Sequence, residues 1–339
     1  MNLVVLTRQF GQYTGATIAT SELLNRLKKN FKSVRVITLR KDNSKTSGID
    51  FVIVKTPFEA FKKLKDISNK EDWIGYSDDH LGYLLEKAGI QFIHTYHGNW
   101  PDARKLSLEM FIKSLVLIPM YKKTVCKATL SVSVSKYMER NFLTKISPNT
   151  TTIYNGVKES NIKMTNINNK YQNRIMMVGN VDKRKYIVAL KLFEIMEKDM
   201  VNPIIDIYGK IIDKQLAQKL NMFKFVNLKG KVDNVPYEKY RCLLCTSTSE
   251  NLPISIVEAL RQRVAVITFD VGGCAEIINN DSGIIISKYD ITGMKAAIND
   301  IFQKEFTFES FSKIEKKFEW DYIADRYFNL FRRVGELND

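Results

Sequence analysis

Two carboxylates, Glu250 and Glu258, stand in the stretch "CTSTSENLPISIVEALRQR", residues 245–263, with seven residues between them. Small hydroxyl residues precede the first, and Pro253 opens a predicted helix over 253–262 that carries the second. Proline suits a first helical turn, where its missing N–H is no loss. The start of such a helix presents free backbone N–H groups and the positive end of its dipole, a setting for a phosphate. A carboxylate beside a phosphate is repelled unless it has other work. Accepting hydrogen bonds from the hydroxyls of a sugar or ribose is such work. A plainer reading has Glu250 supporting the helix start electrostatically and Glu258 pairing with Arg261 or Arg263 on a solvated face. The spacing alone leaves both open.

The elements that must position these residues show in the hydrophobic pattern. In the first half, "LVVLT", "VRVITL", "FVIV", "WIGYS", "FIHTY", "LSVSVS" and "TTIYN" read as short strands. Helical stretches separate most of them: "TIATSELLNRLKKN", then 58–67, 79–88, 105–127 and 136–144. A polar, Asn-rich interval near 157–173 is the expected domain boundary. The alternation restarts with "IMMVGN", a helix over 185–198, "IIDIYG", a helix near 213–221, "FVNLKG", "RCLLCTS", the Pro253 helix, "VAVITFD" and "GIIIS". It closes with helical "ITGMKAAINDIFQK", "FESFSKIEKKF" and "EWDYIADRYFNLF". Such alternation predicts parallel sheets covered on both faces. The expected fold class is α/β, with two doubly wound, Rossmann-like domains over 1–157 and 173–317. They would face each other across a cleft, with a last helix at 318–339 packing back on the first domain.

Composition sets the broad class. The chain has 339 residues, 45% of them hydrophobic and 26% charged, as in a soluble globular protein. "MNLVVLTRQF" has no charged leader and reads as a first strand, not a signal peptide. "SLVLIPM" is far short of the ~20 residues that span a bilayer. Cys242 and Cys245 form a lone C-x-x-C with no second pair, so they read as strand residues and not as a redox or zinc site. The expected address is cytoplasmic. The net charge of +15 is uneven: residues 1–170 hold 27 Lys/Arg against 14 Asp/Glu, a surplus of 13, whereas residues 171–339 hold 25 against 23, a surplus of 2. A basic half suits an anionic membrane leaflet, phosphorylated substrates or nucleic acid; no nucleic-acid motif supports the last.

The segment "TSTSENLPISIVEAL…VAVITFDVGGCAEII…SGIII" resembles the C-terminal signature of family 4 glycosyltransferases (glycosyl transferases group 1), retaining enzymes of the GT-B fold. "YTGATIATSELLNRL", "HTYHGN", "LSVSVSKYMERNF" and "TTIYNGV" are similar to that family's N-domain elements. "MMVGNVDKRKY", "DIYGK", "NLKGKV" and the closing "FEWDYIADRYFNLF" are similar to those of its second half. The pieces fall in the family's order over nearly all of residues 1–335.

The resemblance implies roles residue by residue. Glu258 would bind the ribose hydroxyls of a nucleotide, and Glu250 would lie against the donor sugar near the reacting centre. The backbone of Asn251, Leu252, Pro253 and Ile254 would hold the diphosphate. Lys185, with Arg184 beside it, would neutralise charge on the leaving diphosphate. Gly15 would let bare backbone approach the donor phosphate and acceptor. His97, ending a strand before a glycine, would contact the donor sugar or phosphate, while His94 and His80 are structural. Asn180, Asn251 and Thr14 depart from residues common in the family, so that either Arg184 compensates for Asn180 or phosphate binding is weaker. The expected reaction is transfer from a nucleotide sugar, a UDP-sugar by preference, to a glycan or lipid-linked glycan, as in cell-surface polysaccharide synthesis. No cofactor or metal is expected to be required. The stretch "ARKLSLEMFIKSLVLIPMYKKTVCKA" reads either as a helix lying on an anionic membrane face, making the enzyme peripheral on the inner surface, or as an ordinary core helix with a cationic rim. Alternatives are a non-catalytic GT-B subunit stabilising a partner transferase, or a nucleotide-sugar epimerase.

Overall fold

The computed structural model describes residues 1–42, 46–157, 173–198 and 203–336. The chain divides into two compact units, Met1–Lys158 with Lys317–Asp339, and Glu159–Lys316. Most of the Asn-rich interval expected as the boundary lies outside the described residues.

In the first unit the order is β1 (Asn2–Phe10), α1 (Gly15–Leu27), β2 (Val34–Lys41), β3 (Asp50–Ile53), α2 (Pro57–Lys65), β4 (Trp73–Ser77), α3 (Tyr83–Lys87), β5 (Phe92–Tyr96), α4 (Trp100–Ala103), α5 (Leu108–Lys127), β6 (Leu130–Ser133), α6 (Lys136–Met138) and β7 (Thr150–Thr152). Among the described residues, these strands make one seven-stranded parallel sheet in the order 3-2-1-4-5-6-7. The order reverses between β1 and β4. In a doubly wound sheet that point opens a crevice at the carboxyl ends of the strands. Alternate residues of β1 feed two cores: Leu3 and Val5 pack with Leu23, Leu24 and Leu27 of α1, while Val4 and Leu6 pack with Leu64, Leu84 and Leu85. A strand buried on both faces reads as an unbroken apolar run, which is why "LVVLT" is legible as one.

In the second unit come β8 (Arg174–Val178), α7 (Lys183–Lys198), β9 (Ile204–Tyr208), α8 (Lys214–Leu220), β10 (Val226–Gly230), β11 (Cys242–Cys245), α9 (Ile254–Arg261), β12 (Ala265–Phe269), β13 (Gly283–Ile286), α10 (Ile291–Asp300) and α11 (Glu309–Ser312). The described strands form a six-stranded sheet, again parallel, ordered 10-9-8-11-12-13. Its switch point lies between β8 and β11. Cys242 and Cys245 are buried in β11, and both are free thiols.

The chain then returns to the first unit with α12 (Trp320–Gly335). Trp320, Ile323, Ala324, Tyr327, Phe331 and Val334 form its buried face, set into the same core as α1 and β4. Phe331 meets Phe31 edge-on at 5.5 Å, and the Tyr327 hydroxyl lies 2.9 Å from that of Thr95.

Several helices differ from the expected spans. The one expected over 79–88 is only α3, because the Leu81 N–H donates to Asp79 Oδ1 in a turn and Gly82 crosses β4 closely. A Cβ on Gly82 would lie 2.2 Å from Ser77 Oγ. The stretch 105–127 splits: α5 begins at Leu108, after Ser107 caps it by accepting from the Met110 N–H at 3.2 Å. The span 136–144 is one turn, α6, followed by a π-type turn over Glu139–Leu143. "FESFSKIEKKF" is α11 and a separate 3-10 turn, Glu315–Phe318.

Candidate functional site

The second unit's switch point gathers four of the expected residues. The loop after β8 leads into α7, whose first turn is fixed by Asp182: its carboxylate accepts from the Lys185 N–H at 3.1 Å. That places Arg184 and Lys185 at the helix start. The loop after β11 runs alongside, and its hydroxyl residues explain how. Thr246 Oγ1 donates to the Lys185 carbonyl at 2.6 Å, and the Thr248 N–H and hydroxyl both reach the Arg184 carbonyl. Thr246, Ser247, Thr248 and Ser249 are all buried. The "TSTS" run is therefore a polar seam tying two loops together, not a solvated approach to a helix.

Glu250 ends this seam and is only 7% exposed. Its Oε1 lies 3.6 Å from Lys185 Nζ and its Oε2 3.4 Å from Arg184 Nη1. Burial pushes the Glu250 carboxyl up, but the Lys185 ammonium, the Arg184 guanidinium and hydrogen bonds outweigh it and hold the pKa below the ordinary value. Glu250 is thus an ionised, buried carboxylate between two cations. It does more than support a helix start.

Two glycines that the sequence reading left unassigned make this possible. Gly179 has φ +147°, and a Cβ there would meet Lys185 Nζ at 2.6 Å. Gly272, with φ +57°, brings the loop after β12 against the Glu250 backbone, where a Cβ would come within 2.1 Å of its carbonyl oxygen. Gly273 then donates its N–H to the Asn251 carbonyl at 2.7 Å. The "VGG" after the "VAVITFD" strand was the available signal.

Helix α9 begins one residue later than expected. Pro253 is its N-cap, with φ −75° and ψ 114°, and Ile254 its first residue. The N-cap side chain makes no capping hydrogen bond. Asn251, Leu252 and Pro253 are buried in the approach to this helix, and Ile254 is partly exposed. Arg261 and Arg263 both reach Glu315, at 3.4 Å and 3.1 Å, a carboxylate other than Glu258. Glu258 Oε2 accepts from the Tyr237 hydroxyl at 2.7 Å. Tyr237, from a short 3-10 turn before β11, carried no sequence signal. Asn180 is exposed in the loop after β8, while Arg184 reaches the Ser249 carbonyl at 3.2 Å.

In the first unit, Gly15 is the first residue of α1. Thr14 and Thr17 cap that helix reciprocally, and no atom lies within 4 Å of where a Gly15 Cβ would sit. His97 follows β5 directly, with its Nδ1 3.4 Å from Asn155 Nδ2. Burial lowers the His97 pKa to about 4, so the ring is neutral near pH 7. His94 is wholly buried, 3.0 Å from Ser77 Oγ, and His80 stacks edge-on against Tyr121. The sequence reading passed over Asp78. It follows β4 at the first unit's switch point and accepts from Thr20 Oγ1 at 2.6 Å. Burial first, and Asp79 second, raise its pKa to about 7.

The chain is similar to known proteins. Residues 158–318 match the family described as glycosyl transferases group 1. A poly(glycerol-phosphate) alpha-glucosyltransferase of Bacillus subtilis (strain 168) is 28% identical over 152 residues, 42% of this chain and 23% of that protein. A poly(ribitol-phosphate) alpha-N-acetylglucosaminyltransferase of Staphylococcus aureus (strain COL) is 27% identical over 134 residues, 36% of this chain and 27% of that one. The chain thus spans about a quarter of the length of these two relatives. Among solved structures, Anabaena HepE in complex with UDP superposes with a TM-score of 0.76 at 16% identity, over 98% of this chain and 100% of that one. The fold is GT-B, built of two doubly wound parallel α/β units.

Proposed function

We propose, from the premise that residues 158–318 are a glycosyl transferases group 1 domain, that this protein is a retaining glycosyltransferase. It would move a sugar from a UDP-sugar to a lipid-linked or polymeric glycan in cell-surface polysaccharide synthesis. One observation carries the reading: a buried, ionised Glu250 held between Lys185 and Arg184 at the switch point of the second sheet, beside the start of α9.

The chemistry follows from that cluster. As the bond between the anomeric carbon and the diphosphate breaks, negative charge builds on the leaving phosphate oxygen. Lys185, Arg184 and the N–H groups at the start of α9 are cations and dipoles fixed in advance for that charge. Glu250, acceptor-only when ionised, takes hydrogen bonds from the sugar hydroxyls and orients the ring. Glu258 holds the ribose hydroxyls, itself oriented by Tyr237. The leaving phosphate oxygen takes the acceptor hydroxyl's proton on the face where the new bond forms, so the configuration is kept. Both curated relatives are named as alpha-transferases. If the donor is a UDP-α-hexose, an α product means retention. His97, neutral and partly exposed, serves as a hydrogen-bonding group towards the sugar. Gly15 leaves the start of α1 open to phosphate or acceptor. We assign no metal to the reaction: two side-chain cations stand where a metal would neutralise the diphosphate. The reaction belongs in the cytoplasm, with the acceptor presented at the inner membrane face. Among the described residues no helix is long and apolar enough to cross a membrane.

Thermal stabilisation of the purified protein by UDP, GDP, ADP and their sugars tests the reading. A rise in Tm of several degrees with UDP or a UDP-sugar, lost in Glu258→Ala, is the expected result. A folded protein that responds to none of these nucleotides would overturn it in favour of a non-catalytic subunit.

A further inference from the structure

Helix α5 carries apolar side chains on two faces. Of its twenty residues only Ser114, Thr124 and Val125 are buried, and Ile118, Met120 and Tyr121 are partly buried against the core. A second set lies in solvent: Leu108 is 73% exposed, Phe111 40%, Ile112 57%, Leu115 59% and Val116 62%. Positions 108, 111, 112, 115, 116 and 119 follow each other at intervals of three and four, so they form one continuous outward stripe. The buried Thr124 lies on the opposite side. A surface helix of a globular protein ordinarily keeps its outward face polar.

Cations border the stripe at both ends. Arg104 and Lys105 precede it, and Lys122 and Lys123 extend the same three-and-four progression a turn beyond Pro119. The two carboxylates nearest its start are already engaged: Glu109 pairs with Lys113 at 2.5 Å, and Asp102 faces Lys105 at 3.8 Å. Beside the stripe lies a cavity of about 490 Å³, with Arg104, Lys105, Lys122 and Lys145 around it and Phe111 and Ile118 among its apolar lining. An apolar strip with a cationic border and a basic hollow at its flank matches an anionic bilayer: side chains enter the acyl region while lysines stay at the phosphates. Lysine is depleted from protein–protein interfaces, which argues against a protein partner on this face.

We propose that the outward face of α5 docks on an anionic phospholipid leaflet, with a lipid headgroup phosphate seated in the adjoining basic cavity. The inference deepens the acceptor half of the function proposed above and rests on that reading only for its biological purpose. Vesicle binding is measured without donor or transfer, so the two stand or fall separately.

The test is co-sedimentation of the full chain with phosphatidylglycerol-containing vesicles and with phosphatidylcholine vesicles, alongside three double variants. Wild type should bind the anionic vesicles at low salt and not the neutral ones. Ile112→Ser with Leu115→Ser should weaken binding at least tenfold at unchanged Tm, since both side chains already lie in solvent. Lys122→Glu with Lys145→Glu should weaken it far more than the charge-matched Lys63→Glu with Lys65→Glu on α2, whose lysines are exposed elsewhere. Failure to bind anionic vesicles would overturn the proposal. So would equal binding to neutral ones, an unchanged Ile112/Leu115 variant, or equal losses in the two lysine variants. A wild-type dimer that this same apolar variant turns into a monomer would assign the face to a second copy of the chain instead.

Discussion

At the scale of single residues, Glu250 keeps its charge in a buried place because two cations and the hydroxyl seam stabilise it there. Lys185 is the leading opposite charge. Lys185→Ala should therefore lower kcat about 10²–10³-fold, as loss of a preorganised charge partner does. It should also move the acid limb of the pH–kcat/KM profile upward, since the Glu250 carboxyl then titrates nearer its ordinary range or above. A merely structural lysine would leave that limb in place. Tyr237→Phe removes one hydrogen bond to Glu258, worth about 0.5–1.5 kcal/mol, and should weaken nucleotide binding by about two- to tenfold in a titration. Asp78 gives the opposite pH behaviour. Its folded pKa of about 7 lies well above the ordinary carboxyl value, so its contribution to stability is present below pH ~4 and lost as the pH rises through 7. Asp78→Asn should raise Tm by several degrees at pH 8 and change it little at pH 4, as thermal melts at the two pH values would show. Residue type and setting single out Glu250 and Glu258 as candidates, and only the family resemblance gives them roles. Tyr237 and Asp78 were not legible, because what makes each matter is a neighbour supplied by the fold.

At the scale of elements, the strands could be read and the helix ends could not. A parallel strand buried on both faces is a short apolar run, and "WIGYS" and "FIHTY" coincide with β4 and β5 residue for residue. Helix boundaries depend on caps and close crossings. Pro253 fits the N-cap as well as the first turn, and Gly82 delays α3 because β4 passes beneath it. The "TSTS" run shows the same dependence: its hydroxyls gain a role only once α7 supplies the carbonyls they bond. Gly272 is the sharpest test of how these loops hold Glu250. Gly272→Ala combines a left-handed backbone with a Cβ placed against the Glu250 carbonyl, and should cost roughly 1–3 kcal/mol or more. A lowered Tm together with lost nucleotide response would mean that the loop sets Glu250 in place. Lost stability with intact response would confine the glycine's role to folding.

At the scale of the whole molecule, the alternation of strands and helices, the restart after residue 173 and the uneven charge were all legible in the sequence. The restart shows because a second doubly wound sheet repeats the first one's periodicity. Periodicity alone does not say which core a late helix completes, although a last helix over 318–339 packing back on the first domain was expected. Here α12 fills the core of the first unit with Tyr327 and Phe331, after the whole second unit has intervened. Ending the chain at Lys316 should thus unfold the first unit and spare the second. The expected melt shows one remaining transition that UDP still raises, and two intact transitions would contradict it. During synthesis the same arrangement inverts the usual order. The nascent first unit emerges without its last packing partner, while the second unit has everything it needs as soon as it leaves the ribosome. A later-made stretch of polypeptide closes an earlier-made core, so a ribosome that stalls before α12 leaves the first unit exposed to chaperones and proteases.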